Sequence, residues 1–243
     1  MKKALLLAGA LVALTASLAS AAGLNMYWTD CGPAGTVNRT FSCTTNTGNH
    51  DIFMSFDPPQ SIPQLTGNNQ FIDLQSAGAA LPDWWQFKNA GTCRALNAST
   101  PSIGPGSCAD TWGGQDSPGI AAYLVTANTP SMAPNRARII GSVAVPGAAA
   151  TPVDPGTEYY SMALRINSGK TVGTGACAGC QTPVCLVLND LTLSDINANT
   201  YTVNTVLTSN FITWQGGAIG GAGCPGATPS INKTWGQLKS IYR

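Results

Sequence analysis

Charged side chains are scarce in this chain of 243 residues, because Asp, Glu, Lys and Arg together make up only 9% of it. Glu158 is the only glutamate and His50 is the only histidine. The abundance of Gly, Ser, Thr, Asn and Ala disfavours long solvated helices and is typical of β-structure with many turns. Without Lys2 and Lys3, basic residues do not outnumber acidic ones. No basic field therefore exists to attract nucleic acid or anionic lipid.

Long apolar runs are also absent, except at the start of the chain. Lys2 and Lys3 precede an apolar run from Ala4 to Leu18 and a small-residue site, Ala19-Ser20-Ala21. This pattern predicts a secretory signal peptide of bacterial type over residues 1–21, with an apolar run too short to span a bilayer. We therefore expect a mature chain that is soluble, is not inserted in a membrane, and is secreted to an extracellular or periplasmic compartment.

Residues 22–243 are predicted to form one domain, an all-β fold of the antiparallel β-sandwich type, either jelly-roll or immunoglobulin-like. Roughly nine to eleven short segments have the composition or alternation of strands, and turn residues separate them. The strand segments do not alternate with helices, so the sequence does not predict a parallel sheet. Val184–Leu193 is apolar on both faces, which predicts a central strand that is covered on each side.

Three further segments carry predictions that a structure can check. A short strand is predicted at Phe71–Leu74. A longer strand has apolar residues at every second position, which predicts one apolar face formed by Tyr160, Met162, Leu164 and Ile166. A short C-terminal helix is predicted from a capping box and an apolar stripe at helical spacing, formed by Thr234 and Gln237 and by Trp235, Leu238 and Ile241.

Eight cysteines in an exported chain predict four disulfides. They are Cys31, Cys43, Cys93, Cys108, Cys177, Cys180, Cys185 and Cys224. Loop length favours the local pairs Cys31 with Cys43 and Cys93 with Cys108. For the last four we expect one bond inside the cluster 177–185 and one bond from that cluster to Cys224. A zinc site or a redox-active pair is the alternative, but the second half of a zinc knuckle is missing and a strand follows the cluster.

Aromatic residues in and beside a long loop region suggest a ligand-binding site. Trp84, Trp85 and Trp112 occur near Asp116 in this region. Flat rings beside amides and carboxylates can stack on sugars. Core packing is the alternative explanation for the three tryptophans, and it accounts for most tryptophans in proteins.

Catalytic and metal-binding patterns are weak. A glycosidase-type carboxylate pair would have to come from a set of scattered acids: Asp83, Asp110, Asp116, Asp154 and Glu158. His50 has no accompanying nucleophile motif. Asp195, Asn197 and Asn199 resemble the opening of a calcium loop, but the expected glycine and glutamate are replaced by Thr200 and Val206. A turn explains these residues as well, and we expect no cofactor.

These observations favour a secreted structural or adhesive β-sandwich module without catalytic activity. Its expected partners are polysaccharide or other cell-surface components. The first alternative is a carbohydrate-binding domain that uses the tryptophan region, and the second is a secreted hydrolase that uses an Asp pair.

Overall fold

The computed structural model describes residues 22–87 and 91–216, which form a β-sandwich. The predicted signal peptide and the predicted C-terminal helix lie outside these residues. The described strands are β1 (Gly23–Trp28), β2 (Asn38–Arg39), β3 (Asn49–Asp57), β4 (Ile62–Ser76), β5 (Ala98–Ser99), β6 (Ser117–Val125), β7 (Arg136–Ala144), β8 (Thr151–Val153), β9 (Tyr159–Asn167), β10 (Val184–Asp195), β11 (Thr200–Val203) and β12 (Phe211–Trp214). Short 3-10 turns occur at Gly32–Ala34, Asp83–Trp85 and Gly147–Ala149.

The strands form two sheets that enclose one core. The smaller sheet has the order β1-β3-β9-β5, and the larger has the order β2-β12-β10-β4-β7-β6, with β11 paired to β10 and β8 paired to β4. Neighbouring strands are antiparallel except for the short parallel pair β2 and β12. The prediction of an all-β, antiparallel β-sandwich with disulfides is therefore confirmed.

β10 is the central strand of the larger sheet, as its sequence predicts. Leu186 and Leu188 on one face are fully buried, and Cys185 and Val187 on the other face are only 2% and 3% exposed. Antiparallel partners lie on both of its edges. A strand that is covered on each side needs no polar face, which explains the continuous apolar run at 184–188.

β4 is much longer than the strand predicted at Phe71–Leu74. Its first half is rich in Asn and Gln, so apolar alternation does not reveal it. Asn68 and Gln70 nevertheless point into the core, where their side-chain amides donate to the Ser161 hydroxyl at 2.9 and 2.7 Å. Ser161 belongs to the opposite sheet. This buried polar contact thus joins the two layers and partners groups that would otherwise be unsatisfied.

The segment 204–210 also connects the two sheets, because it runs along the outer edge of β1. The amide of Leu24 donates to the carbonyl of Thr205, and the amide of Met26 donates to the carbonyl of Ser209. Leu207 returns a bond to the carbonyl of Leu24. Because this segment runs between β11 and β12 of the larger sheet, β1 has few unpaired backbone groups left to template another chain.

Aromatic rings fill one end of the sandwich and meet around Trp214. The ring centroids of Phe41 and Trp84 lie 4.2 and 4.9 Å from that of Trp214. Trp85 and Trp28 follow at 5.3 and 6.0 Å. We call these five residues the aromatic cluster. Its rings come from β1, β12 and two connecting segments, so their packing fixes where those segments cross the end of the sandwich.

Arg94 places a cation inside this aromatic end, although its side chain is fully buried. The guanidinium carbon lies 3.6 Å above the Trp84 ring centroid, and Nη1 donates to the carbonyl of Trp84 at 3.0 Å. Nη2 donates to the carbonyl of Asn167. No described carboxylate pairs with Arg94, and burial lowers the pKa of its guanidinium to about 9. The charge is therefore held by a ring face and two carbonyl dipoles.

The disulfides correct the predicted pairing. The bonds between described residues join Cys31 with Cys108, Cys43 with Cys180, and Cys93 with Cys177. The predicted local pairs are wrong, and so is the bond predicted inside the cluster 177–185. Cys185 is also disulfide-bonded, and Cys224 lies outside the described residues.

The physical reason is that folding brings distant cysteines together. The three bonds close sequence separations of 77, 137 and 84 residues, with Cα atoms 5.6 to 5.9 Å apart. Cys177 and Cys180 are close in sequence, but each is bonded to a different distant loop. Loop length in the sequence is therefore a poor guide to this framework, which depends on which loops meet at the ends of the strands.

Replacing Arg94 with Met should destabilise the protein. The variant leaves the buried carbonyls of Trp84 and Asn167 without their donor and removes the contact with the ring, so we expect a loss of about 2–4 kcal/mol. Arg94→Lys, which cannot make the same flat contact, should fall between wild type and Arg94→Met. Urea unfolding with intact disulfides measures this, and the exposed Arg136 provides the control Arg136→Met. Equal stability of Arg94→Met and Arg136→Met would contradict the role of Arg94.

Non-reducing digestion with mass spectrometry should recover peptides that link Cys31 to Cys108, Cys43 to Cys180, and Cys93 to Cys177. Digestion at acidic pH prevents exchange, because thiolates are the attacking species. A sample that is denatured and scrambled before digestion is the control. A dominant peptide that joins Cys31 to Cys43 would contradict the described framework.

Candidate functional site

The connection between β5 and β6, residues 100–116, crosses the outer face of the smaller sheet. Its middle is bonded through Cys108 to Cys31, which follows β1, whereas Ala109 pairs with Tyr159 at the start of β9. β1 and β9 are separated by β3 in this sheet, so the connection must cross the sheet to reach both. We call residues 100–116 the crossing loop.

Asp30 fixes the tip of the crossing loop beside the disulfide. Its carboxylate accepts the amides of Cys31 and Ser107, each at 2.7 Å, and the Ser107 hydroxyl at 2.9 Å. Partial burial acts to raise the pKa of Asp30, but these bonds outweigh it and the pKa is lowered. A covalent bond and a charged cap therefore hold the same point of the loop.

The end of the crossing loop is a tight turn from Asp110 to Asp116. Oδ1 of Asp110 accepts the amides of Trp112 and Gly113 at 2.8 and 3.2 Å. Gly113 and Gly114 adopt positive φ angles of 57° and 69°, which other residues rarely tolerate. The Trp112 indole donates to the Ser161 carbonyl at 2.8 Å and its ring is buried. Trp112 therefore anchors the turn and places an aspartate at each end of it.

A β-bulge at Ser161 decides which face Tyr160 occupies. Met162 packs inward against Gly141 of the opposite sheet. A Cβ atom added at Gly141 would lie only 2.8 Å from the Met162 sulfur. Met54 pairs with Met162 but Ser55 pairs with Tyr160, which leaves Ser161 as the extra residue. A bulge reverses the alternation of side chains along a strand. Tyr160 therefore faces outward beneath the crossing loop, and the prediction that it shares a face with Met162, Leu164 and Ile166 is wrong.

A cavity of about 220 Å³ lies between the crossing loop and β9. Its lining residues are Ser102, Ile103, Gly104, Pro105, Asp110, Gly114, Asp116 and Tyr160. We call it the acidic cavity, because Asp110 and Asp116 bring two carboxylates to it. Sequence reasoning proposed both aspartates but missed Tyr160, since only the bulge brings this residue to the cavity. Asp116 is the only residue of the predicted tryptophan site that lines it.

The three predicted tryptophans do not form a ligand platform. Trp84 and Trp85 are fully buried in the aromatic cluster, and Trp112 is 2% exposed. A buried ring offers no face on which a sugar can stack. The burial of the three rings matches the alternative of core packing. Asp83–Trp85 forms a 3-10 turn rather than a strand, which lets both neighbouring rings point inward.

The other acids of the predicted hydrolase set are separated from the acidic cavity. Glu158 accepts the Ser55 hydroxyl at 2.5 Å and the Asn25 amide at 2.8 Å. It therefore serves as a structural acceptor on the smaller sheet. Asp83 and Asp154 are exposed at other positions. Asp110 and Asp116 are the two members of the set that line the acidic cavity.

His50 is a partly buried structural residue. Its ring lies 4.9 Å from that of Trp214 in an edge-to-face contact, and Nε2 shares a hydrogen bond of 3.0 Å with the Ser168 hydroxyl. Burial lowers the pKa of His50 to about 4, and the positive charges of Arg39 and Arg94 act in the same direction. The imidazole is therefore neutral at pH 7.

The carboxylate of Asp195 is used within its own turn. Oδ1 accepts the amides of Asn197 and Asn199, both at 2.9 Å. Oδ2 accepts the Asn199 side-chain amide at 2.8 Å and the Tyr201 hydroxyl at 3.0 Å. The Asn199 side-chain bond, together with the other donors, lowers the pKa of Asp195. This arrangement is the turn that the sequence offers as the alternative to a calcium loop.

Neither residues 22–87 nor residues 91–216 contain a group of three or more His, Cys, Asp or Glu side chains placed to hold a metal ion. Within the same ranges, no helix has both the length and the apolar character to cross a bilayer.

Comparison with known proteins finds no matching family model and no matching curated protein. Among solved structures, the chain resembles the cohesin module of a family 33 glycoside hydrolase from Clostridium perfringens, with 9% identity, a TM-score of 0.36, and coverage of 80% of this chain and 98% of that one. It also resembles the second type II cohesin module of the cellulosomal adaptor ScaA scaffoldin from Acetivibrio cellulolyticus, with 12% identity, a TM-score of 0.36, and coverage of 82% and 98%. These likenesses concern the sandwich fold alone.

The stability of the protein should fall as the pH drops from about 6.5 toward 4. His50 is neutral in both states above its ordinary pKa of 6.5, so its full contribution is present there. Below that value the unfolded chain takes up a proton and the folded chain does not, which favours unfolding. Urea unfolding at pH 7 and pH 5 measures the effect. His50 is the only histidine, so it is the side chain whose ordinary pKa lies between pH 7 and pH 5.

The matched control is His50→Phe, which keeps a ring beside Trp214 but has no titrating group. Its stability should depend less on pH between 7 and 5 than that of wild type. Equal pH slopes for the two proteins would show that the imidazole is not kept neutral by the fold.

Proposed function

We propose that the mature chain is a secreted, non-catalytic β-sandwich module that adheres to cell-surface components. The observation that carries the proposal is the disulfide framework, which bonds separate loops to the strand ends over 77 to 137 residues. Disulfides persist in oxidising extracellular compartments. The predicted signal peptide at residues 1–21 supports the same location. Loops fixed in this way present a constant surface, which suits binding without rearrangement.

The use of the acids and the single histidine supports a non-catalytic role. Asp30 and Asp195 cap turns, Glu158 accepts bonds from its own sheet, and His50 packs beside Trp214. A general acid or base needs access to substrate and a pKa near the working pH. These four residues are held by structural contacts instead.

A hydrolase that uses the acidic cavity is the second candidate. The observation that favours it is that Asp110 and Asp116 line one cavity. Against it, Oδ1 of Asp110 is already bonded to two backbone amides, which hold the turn in place. A glycosidase pair needs both carboxyl groups positioned across a scissile bond.

We expect the purified mature protein to bind intact cells or isolated envelopes of an exporting bacterium in a saturable manner. Reduced and alkylated protein should lose this binding, because its loops are no longer fixed. Quantitative sedimentation with labelled protein measures both. Assays on glycosidase and esterase substrates accompany it, with Asp116→Asn as the matched variant.

Two results would count against the proposal. The first is that the oxidised protein stays in the supernatant of every cell and envelope preparation. The second is substrate turnover that disappears in Asp116→Asn, which would assign the cavity to the hydrolase candidate.

A further inference from the structure

The acidic cavity contains polar atoms that the protein itself does not satisfy. Tyr160 is only 2% exposed, and its hydroxyl has no hydrogen-bond partner. Oδ2 of Asp116 is also buried without a partner. A buried polar group without a partner costs roughly 1–3 kcal/mol, and such groups are rare in folded proteins.

Tyr160 lines the cavity together with both aspartates. Burial raises the pKa of Tyr160, and the negative charges of Asp116 and Asp110, which both line the cavity, raise it further. The backbone amide of Ala163 is near enough to oppose this shift, but it does not meet hydrogen-bond geometry. Tyr160 and the two aspartates therefore line one cavity, and the phenol lies within range of their charges.

The charge in the cavity is not balanced by a neighbouring cation. The described ion pairs join Arg138 with Asp73 and Arg165 with Asp51, so no described Lys or Arg pairs with Asp110 or Asp116. Asp51 lies on the same sheet but is neutralised by its own arginine. The cavity therefore offers carboxylate acceptors and one tyrosine donor to whatever enters it.

We propose that the acidic cavity binds a single sugar unit of a cell-surface glycan. A sugar hydroxyl donates to a carboxylate and accepts from a phenol at the same time, which matches Asp116 and Tyr160. The volume of about 220 Å³ is below the range of about 300–1,000 Å³ that is typical of sites for drug-sized ligands, so we expect one ring to enter and a longer chain to extend outside. Ile103 and Pro105 supply apolar contacts for the C–H face of the ring. This inference rests on the proposed adhesive function and gives it a site.

A divalent cation matches the cavity less well. Calcium is bound by about six to eight oxygens, usually with several carboxylates, and the cavity supplies two carboxylates. A cation also gives the Tyr160 proton no acceptor. A neutral ligand with hydroxyl groups satisfies the donor and the acceptors together.

The first test needs no knowledge of the glycan. In the ligand-free protein, Tyr160→Phe removes a hydroxyl that has no partner, so its melting temperature should equal or exceed that of wild type. Ser55→Ala is the control, because the Ser55 hydroxyl on the same sheet is bonded to Glu158 at 2.5 Å, and this variant should melt lower. A clear drop for Tyr160→Phe would overturn the proposal, since it would mean that Asp116 or another group already satisfies the hydroxyl.

The second test measures binding of methyl glycosides of common hexoses and N-acetylhexosamines by saturation-transfer NMR and titration. At least one should bind wild type, and Asp116→Asn and Tyr160→Phe should each weaken it by roughly tenfold. The exposed Asp154 provides the control Asp154→Asn, which should bind like wild type. Calcium chloride is titrated separately. No binding by any glycoside would overturn the proposal, and so would calcium binding that is lost in Asp116→Asn without any glycoside binding.

The two proposals can fail separately. Retention on cells that is unchanged in Asp116→Asn and Tyr160→Phe would preserve the adhesive function and reject the cavity as its site. Glycoside binding by a protein that no cell surface retains would preserve the cavity as a sugar site and reject the adhesive function.

Discussion

The packing of aromatic rings around Trp214 is the interaction on which the rest of the sandwich depends. Trp28 at the end of β1 and Trp214 at the end of β12 come from different sheets, and Trp84 and Phe41 come from the segments that cross between them. Large rings bury more apolar area than any other side chains. Arg94 adds two hydrogen bonds and a cation–π contact at the same place. One end of the fold is thus closed by side chains that no single strand could hold alone.

The loops of this protein are fixed to that framework by bonds rather than by burial alone. Few charged residues are present, so the chain has little material for ion-pair networks. Disulfides replace them, and the aspartates at positions 30, 110 and 195 cap backbone amides in turns. Loops restrained at several points lose little additional entropy when they bind a partner. This physical property connects the composition of the chain with the adhesive role that we propose.

The acidic cavity results from one local departure from regular strand geometry. Without the extra residue at Ser161, Tyr160 would point into the core with Met162, and the crossing loop would cover an apolar surface. The bulge turns Tyr160 outward, while the Ser161 side chain and carbonyl bond to Gln70 and Trp112. The same residue therefore joins the two sheets, anchors the turn and exposes the phenol to Asp110 and Asp116. Bulges often redirect a side chain beside a functional site.

The sequence by itself determined the all-β class, the sandwich type and the central position of β10, because period-two alternation and continuous apolar runs are local signals. It also named Asp110 and Asp116 among five scattered candidate acids, but it could not show which of them meet. Only the tertiary structure decided the partners of Cys31, Cys43 and Cys93, the burial of all three candidate tryptophans, and the outward face of Tyr160. Each of these depends on which distant segments meet across the two sheets. That pairing is a sum of many long-range contacts, and no single stretch of sequence encodes it.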